Sequence, residues 1–407
     1  MSESPTIPRE SRRFIWAIVT AQMLAQIGAF SLPALLPHYI AAWALSKTQA
    51  GWLVGIFFAA YVVAVPILVS LTDRVPARHV YAVGAGLTAI SHLGFAFLAD
   101  GFWSALALRA LAGIGWAGAY MPGLKAIADT LEGNAQSRAV SMHAAGVGIA
   151  GASSFGIAGL IAAWASPSAA FVFGGLAALL ALALAWAVMP DRKPEHAATA
   201  DPRALLDFRP VLRNRQAMAW IAGYTVHTWE MAALRAWGVT FLTIAAVQAA
   251  PPAWLPAPTV LLSIANFAGI VVSISGNELA QRHGRMRVVS FAICTAALLA
   301  LITGWTLGAS MLLCTALIIL WMAAIFIDSS ALTAGTVQAA DPRLRGATMG
   351  LHSMCGYAGG FIGPLGVGLA LDLAGRNALL GWGLGFGHLA LVTFAGLAAL
   401  RWLASRG

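Results

Sequence analysis

Long apolar segments alternate along the chain with short polar ones, and each long segment has the length of a membrane-spanning helix. About 20 apolar residues in an α-helix cross the hydrocarbon core of a bilayer, so every such segment predicts one span. The pattern predicts an all-α membrane protein with twelve transmembrane helices, numbered here as spans 1 to 12 in chain order. Their predicted ranges are 15–37, 51–71, 80–99, 103–124, 139–163, 168–189, 217–242, 258–277, 288–307, 310–330, 347–370 and 379–403.

The longest polar stretch, 190–216, separates six spans from six. We therefore predict an N-terminal six-helix bundle over 1–189, a cytoplasmic linker over 190–216 and a C-terminal six-helix bundle over 217–407. Within the linker, residues 201–209 could form a short amphipathic helix at the membrane surface.

Composition agrees with this pattern, because 60% of the residues are hydrophobic and only 10% are charged. Soluble domains carry about 25% charged residues, so an ordinary soluble enzyme is excluded. The formal net charge is +9, but the basic residues lie between the apolar segments. They indicate membrane topology and not a surface for nucleic acid, which is not expected as a partner.

Basic residues are distributed very unequally between the two sides of the predicted membrane. If the N-terminus is inside, nineteen lie on the cytoplasmic side and only Lys47 and Arg376 lie outside. This bias predicts a multi-pass protein of the cell (inner) membrane with both termini cytoplasmic. The polar residues 1–13 precede an apolar stretch too long for a signal-peptide core and are expected to lead into a permanent span. The nineteen are Arg9, Arg12, Arg13, Arg74, Arg78, Arg138, Arg192, Lys193, Arg203, Arg209, Arg213, Arg215, Arg282, Arg285, Arg287, Arg343, Arg345, Arg401 and Arg406.

Patterns that would indicate an enzyme are missing from the sequence. Cys294, Cys314 and Cys355 lie in apolar stretches without metal-ligand or disulfide spacing. There is no phosphate-binding loop and no nucleophile beside a base. We expect no enzymatic activity, no metal and no cofactor.

The two halves resemble each other at an offset of about 208 residues. Residues 71–78 after span 2 align with residues 279–286 after span 8, so that Arg74 matches Arg282. Residues 138–142 entering span 5 align in the same way with residues 345–349 entering span 11. Duplication of a six-helix unit explains both matches, and many secondary transporters are built in this way.

The loop after span 2 is similar to the Gly-x-Leu-Ala-Asp-Arg-x-Gly-Arg-Arg signature of the major facilitator superfamily. Val69 and Pro76 replace its two glycines, whereas the residues in register are Leu71, Asp73, Arg74 and Arg78. Span 4 resembles the Arg-x-x-x-Gly-x-Gly motif of the same family through Arg109, Gly113 and Gly115. Residues 359–364 in span 11 resemble a Gly-x-x-x-Gly-Pro element, but antiporters of the family carry that element in span 5, which has no proline here.

The resemblance implies alternating access about a central cavity lined mainly by spans 1, 2, 4, 5, 7, 8, 10 and 11. It implies a monomer by default. It also implies that a cytoplasmic latch of Asp73, Arg74, Arg78 and Arg282, with Arg285 as a weaker member, holds the outward-facing state. Simple anchoring of the basic residues at the membrane surface is the alternative.

Span 7 concentrates polar side chains that a bilayer normally excludes. A charged residue at a helix centre costs about 2.5 to 3.5 kcal/mol on insertion scales, so it is expected to face protein or water. At about 100° per residue, Glu230 and Trp237 share a face, His227 lies about 60° away, and Arg235 about 140° away. We predict that Glu230 carries the coupling proton, because an apolar environment favours a neutral carboxyl. A structural carboxylate is the alternative.

Span 4 carries a cation and two aromatic residues on one face: Arg109, Trp116 and Tyr120. This stripe suits a planar anion, although backbone carbonyls or Glu230 could equally hold Arg109. Lys125, near the inner end, is expected to reach the headgroups.

Further candidates for substrate contact are neutral or titratable residues in other spans. Gln22, Gln26, Tyr61, Asn266, His227, Arg235 and Trp237 are assigned to the substrate site, and His143 and His352 to gating. Each of them could instead bond a neighbouring helix. We expect His388 to be structural and Asp328 to join a charge network near the inner end of span 10.

Buried positive charge exceeds buried negative charge, with Arg109 and Arg235 against Glu230 as the mid-membrane acid. This surplus favours proton-coupled symport of a small organic anion. A proton-coupled exporter of drugs or metabolites is the main alternative, and a receptor or scaffold without transport is a third. The identity of the anion, the stoichiometry and the direction stay open.

Overall fold

The computed structural model describes residues 9–191 and 207–406, and its described residues form α-helices joined by short turns. Most of the amphipathic helix predicted at 201–209 lies outside the described residues. In the first half, span 1 consists of two helices, Arg9–Gln26 and Ser31–Ala42, followed by Lys47–Leu71, Ala77–Leu98, Phe102–Thr130, Gly133–Trp164 and Pro167–Val188 as spans 2 to 6. After a short helix, Arg209–Arg213, spans 7 to 12 are Arg215–Gln248, Pro258–His283, Arg285–Gly304, Met311–Ala339, Arg345–Leu373 and Ala378–Ala404.

The predicted all-α fold is confirmed, and several helices extend beyond their predicted ranges. Span 5 begins at Gly133 instead of 139, and span 10 ends at Ala339 instead of 330. Apolar windows detect only the part of a helix inside the hydrocarbon core, whereas the backbone hydrogen bonds continue into the interface. Within the described residues, eleven helical segments are long and apolar enough to cross a membrane. Span 4 is not among them, because Arg109 and several glycines lower its hydropathy.

Short polar residues define where several spans begin. Ser46 accepts a hydrogen bond from the Gln49 amide, and the Gln49 side chain accepts one from the Ser46 amide, which together form a capping box for span 2. Ser166, Asn214, and Ser310 cap spans 6, 7 and 10 in a simpler form. These caps satisfy backbone amides that a helix start leaves unpaired.

The fold brings the halves together through a few pairs of helices. Span 2 packs along span 11, span 5 packs on span 8, and the second helix of span 1 contacts span 7. Glycines permit the closest approaches within a half: a Cβ on Gly84 of span 3 would collide with the backbone of Gly118 in span 4. Small residues of this kind are what allow membrane helices to pack backbone to backbone.

Span 1 is interrupted between Gln26 and Ser31, whereas the sequence predicted one continuous helix over 15–37. Side chains from spans 3 and 5 reach two of the freed backbone groups. His92 Nε2 lies 3.1 Å from the Gly28 carbonyl oxygen, and Ser154 Oγ accepts a hydrogen bond of 3.0 Å from the Phe30 amide. An irregular backbone at membrane depth is tolerated only where protein covers it in this way. The apolar pattern did not reveal the break because its residues are themselves apolar or glycine.

We call the end of the bundle where span 1 begins and span 12 ends the terminal face, and the other end the opposite face. The two halves are joined at the opposite face. Asp372 at the end of span 11 accepts hydrogen bonds from the amides of Lys47 (2.9 Å) and Thr48 (2.8 Å) at the start of span 2. Ser263 of span 8 accepts from the Gly156 amide and donates to the Ala152 carbonyl of span 5, each at 2.7 Å. Among the described residues, these four are the side-chain-to-backbone hydrogen bonds between the halves, so the opposite face is closed.

Candidate functional site

A cavity of about 120 Å³ lies between the two halves. Its walls come from spans 1, 2, 4 and 5 on one side and from spans 7 and 11 on the other, so spans 8 and 10 of the expected set do not line it. The first half contributes Phe30, Phe58, Trp116, Val147, Gly148 and Gly151, and the second contributes Tyr224, Thr228, Met231, Ala232, Arg235, Gly356, Tyr357 and Gly360.

Arg235 is the charged side chain in this lining. Its Nε donates a hydrogen bond of 2.8 Å to Asn266 Oδ1, and Asn266 is held in turn by its own bond of 2.8 Å to the Leu262 carbonyl. The guanidinium lies over the rings of Phe30 (5.1 Å) and Phe326 (5.5 Å). Neither Nη atom donates a hydrogen bond within the part of the chain that the structure describes. Arg235 is thus oriented through Nε and leaves its two-pronged edge available for an anion.

Aromatic rings form much of the remaining wall. Tyr357 of span 11 lies against Tyr61 (centroids 4.1 Å apart) and Phe58 (5.9 Å) of span 2, and Phe30 meets Trp116 edge to face at 6.4 Å. Such surfaces bind flat apolar groups through contact area and ring electrostatics. Trp116 and Tyr61 were predicted from the sequence, but Phe30, Phe58, Tyr224 and Tyr357 were not, because single aromatic residues in apolar helices carry no signal of which face they occupy.

The predicted stripe on span 4 is divided in the structure. Trp116 reaches the cavity, but Arg109 is outside its lining and only 2% exposed. The Arg109 guanidinium lies 4.8 Å from the Phe57 ring centroid, and its Nη2 donates to the Ala29 carbonyl at 3.5 Å. It therefore supports the break in span 1, which is the carbonyl-bound alternative considered from the sequence. Lys125 pairs with Asp129 at 3.0 Å, away from the cavity.

Glu230 is buried inside the second half and is outside the cavity lining. Its Oε1 accepts a hydrogen bond of 2.6 Å from Trp321 Nε1 in span 10, and its Oε2 accepts one of 3.3 Å from Thr393 Oγ1 in span 12. Trp237, on the same face of span 7, donates from Nε1 to the Pro364 carbonyl at 2.8 Å. Because this face of span 7 is directed into its own half, both residues contact protein and not the cavity.

The structure corrects the predicted position of Asp328 in span 10. The sequence placed it near the inner end of span 10, but that span continues to Ala339, so Asp328 lies well inside the helix. It is buried, and its Oδ1 lies 2.7 Å from His227 Nδ1. His227 is therefore turned towards span 10 and not into the cavity lining. A single acidic residue inside an apolar segment is a sequence signal for a functional site. It was overlooked because span 10 was predicted to end at residue 330, which placed Asp328 near the end of the helix.

His352 and Tyr224 connect the pair of Asp328 and His227 to the cavity. The Tyr224 ring stacks on His352 at 3.8 Å and on His227 at 5.8 Å, and Tyr224 also lines the cavity. The ring nitrogens of His352 lie 3.1 Å from Thr336 Oγ1 and 3.3 Å from Thr333 Oγ1. His388, expected to be structural, accepts from Trp229 Nε1 at 3.3 Å within the second half.

The residues of the expected cytoplasmic latch do not form ion pairs with one another in the described structure. Arg78 instead stacks over the Trp186 ring at 3.9 Å, and Arg285 donates a hydrogen bond to Gln338. Neither Asp73 nor Arg74 joins a salt bridge, and Arg282 has none either, within residues 9–191 and 207–406. The side-chain-to-backbone hydrogen bonds that join the halves within these residues all lie at the opposite face.

A larger cavity of about 280 Å³ opens at the terminal face, between spans 1 and 5. It is lined by Arg12, Ile15, Trp16, Arg138 and Met142, all from one half of the molecule. Only a site between the two halves can be exposed alternately to the two sides of a membrane, so the smaller central cavity is the candidate substrate site.

Comparisons with known proteins agree with this architecture. The family model described as Major Facilitator Superfamily matches residues 18–364. The nucleoside transporter NupG matches with a TM-score of 0.76 at 12% identity over 97% of this chain and 99% of that one. The human organic anion transporter MFSD10 (TETRAN) matches with a TM-score of 0.69 at 18% identity over 97% and 100% of the two chains.

A further solved structure is a bacterial homologue of the human lysosomal transporter Spinster in an inward-facing, occupied conformation. It matches with a TM-score of 0.72 at 15% identity, over 98% of this chain and 96% of that one. At these identities the likeness concerns the fold. No curated protein sequence gives a significant match.

Proposed function

This chain belongs to the major facilitator superfamily and is a multi-pass membrane transporter, and we propose that it moves a small organic anion together with a proton by alternating access. The observation that carries the proposal is Arg235, a guanidinium between the two halves whose Nη atoms have no acceptor among the described residues. No carboxylate accompanies it in the cavity lining. A cation within membrane-spanning helices normally has a partner, so an anionic substrate is the group that completes the site.

The closed opposite face supports the transport cycle we propose. With the orientation predicted from the basic residues, the opposite face is extracellular and this conformation is closed to the outside. The contacts of Asp372 with span 2 would then be the external gate, and Asp73, Arg74, Arg78 and Arg282 would form their latch in the outward-facing state. His143 and His352, near the inner ends of spans 5 and 11, are proposed to contribute to the internal gate.

Proton coupling is proposed for the buried acids of the second half. Glu230 is the candidate from the sequence, and its burial between Trp321 and Thr393 supports a carboxyl that alternates between neutral and charged forms. Asp328 is a second candidate, because its Oδ1 lies 2.7 Å from His227 Nδ1 and the Tyr224 ring, which lines the cavity, stacks on His227. Through these contacts, protonation of Asp328 can alter the cavity wall that the anion touches.

A panel of ligands tests the proposed substrate class. Purified protein is heated with monocarboxylates, dicarboxylates, inorganic anions or quaternary ammonium compounds, and the unfolding temperature is recorded. A ligand at about 100 times its dissociation constant stabilises the folded state by about 2.7 kcal/mol. We expect organic anions to stabilise the protein. Stabilisation by the cations alone would instead favour the exporter, for which the aromatic walls are the supporting observation.

Removal of the Asp372 carboxylate is expected to open the opposite face. Asp372→Ala loses two charge-assisted hydrogen bonds to backbone amides, each contributing about 1.5 to 3 kcal/mol, so the outward-open population should increase at least tenfold. Distances between spin labels at Ala42 and Arg376 measure the change. Asp341→Ala is the control, because Asp341 bonds the nearby Arg343 amide at the terminal face. An unchanged distance distribution in Asp372→Ala would exclude this gate.

A further inference from the structure

Three buried polar side chains, those of Gln22, Gln26 and His143, lie beside the central cavity on its terminal side. On span 5, His143 is one helical turn from Val147, which lines the cavity. On span 4, Tyr120 is one turn from the cavity residue Trp116, and its ring lies 5.6 Å from that of His143. On span 1, Gln22 and Gln26 share a face by their spacing. We call Gln22, Gln26 and His143 the polar cluster.

Gly123 brings the members of the cluster from different helices together. A Cβ added to this residue would lie 2.9 Å from His143 Nε2 and 3.5 Å from Gln22 Oε1. Both side chains therefore rest against the same bare stretch of span 4. The cluster therefore lies where spans 1 and 5 meet span 4, on the terminal side of the wall formed by Trp116 and Val147.

The polar atoms of the cluster have no hydrogen-bond partners among the described residues. This holds for both amide atoms of Gln22 and Gln26 and for both ring nitrogens of His143. Gln22 and His143 are 0% exposed and Gln26 is 2% exposed. Buried donors and acceptors without partners are strongly unfavourable, particularly where no bulk water is available. Something outside the protein chain is needed to satisfy them.

The corresponding histidine of the second half shows that the fold can satisfy such groups. His352 lies in span 11, the counterpart of span 5, and both of its ring nitrogens have threonine hydroxyls as partners. No such hydroxyl reaches His143 within the described residues. The two corresponding histidines therefore differ in whether the protein itself satisfies their ring nitrogens.

The chemistry of the cluster specifies what would complete it. A glutamine amide offers donors and an acceptor, and a neutral imidazole offers one of each. A carboxylate would satisfy only the donors, whereas a primary amide, a ring with adjacent N–H and C=O groups, or a hydroxyl provides both functions. A polar but uncharged group is therefore the best match.

We infer that the polar cluster is a second substrate subsite, and that the substrate is an organic anion which also carries a neutral group able to donate and accept hydrogen bonds. Arg235 holds the acidic end and the cluster holds the neutral end. This inference rests on the proposed anion transport and adds a second recognition element to it. A simple apolar acid would fill only half of the site.

Matched pairs of acids test the inference by calorimetry with the purified protein. We compare 4-carbamoylbenzoate with 4-isopropylbenzoate, and succinamate with 4-methylvalerate, since each pair differs mainly in an amide against an apolar group of similar shape. The native protein is expected to bind at least one amide acid tenfold or more tightly than its apolar partner. In Gln22→Met/Gln26→Met this preference should disappear, while binding of the apolar acid is retained.

Stability provides a second readout. Since methionine has nearly the shape of glutamine without its polar atoms, the double variant should unfold at a higher temperature than the native protein when no ligand is present. A purely structural amide would give the reverse result. Gln26→Met alone allows the same comparisons if the double variant does not fold, and Gln248→Met, at an exposed position, is the control.

The outcomes separate this inference from the proposed function. Equal binding of both members of each pair, or a preference that survives in the methionine variants, would overturn the polar subsite and leave anion transport intact. Failure of all four acids to bind, with binding of quaternary ammonium compounds, would overturn the proposed anion transport itself.

Discussion

Arg235→Gln is expected to weaken binding of the organic anion at least about 30-fold. The Nη edge of Arg235 faces the cavity with no acceptor from the described protein, so an anion would make its charge-assisted hydrogen bonds there. Removing one partner of a desolvated charge pair costs about 2 to 5 kcal/mol, and each 1.4 kcal/mol is a tenfold change in affinity. Titration calorimetry of the purified variant measures this loss directly.

Two further variants separate charge from geometry at this position. Arg235→Lys keeps the positive charge but loses the two-pronged edge and the Nε bond to Asn266, so its affinity should lie between those of the native protein and the glutamine variant. Arg376→Gln removes an arginine remote from the cavity, at the opposite face, and should bind normally. If Arg235→Gln folds and binds the anion with native affinity, Arg235 does not recognise the substrate.

Neutralising the buried acid that carries the proton is expected to abolish accumulation driven by a pH difference. For one proton moved with one monovalent anion, each pH unit supplies about 1.4 kcal/mol, which corresponds to about tenfold accumulation. In proteoliposomes, Glu230→Gln or Asp328→Asn should reduce the accumulation to the level without a gradient. Exchange of labelled for unlabelled anion should continue, because it needs no net proton movement.

The comparison between the two acids identifies the carrier. Loss of accumulation in Glu230→Gln alone would assign the proton to the carboxyl beside Trp321 and Thr393. Loss in Asp328→Asn alone would assign it to the partner of His227. Asp341→Asn, at the terminal face, controls for a general effect of losing a carboxylate. Native accumulation in both variants would remove proton coupling by these residues from the mechanism.

The site residues selected from the sequence fall into two groups. Arg235, Trp116 and Asn266 lie in or directly behind the cavity wall, as their type and position indicated. Arg109 and Glu230 were equally prominent in the sequence, yet both are bound to protein groups outside the cavity. Polarity in a membrane segment shows that a residue needs a partner, but the rotation and neighbours of its helix determine which partner it finds.

The sequence by itself determined the fold class, because apolar segments of bilayer length can satisfy their backbone only as helices, and twelve of them leave room for little else. It also located the buried charges, since these interrupt an otherwise apolar pattern. The tertiary structure alone decided that span 1 breaks at residues 27–30, that His227 meets Asp328, and that the aromatic residues of spans 1, 2, 7 and 11 enclose Arg235. These features depend on contacts between residues as far apart as Gly28 and His92, and the pattern within a single helix contains no information about the side chains that another helix brings to it.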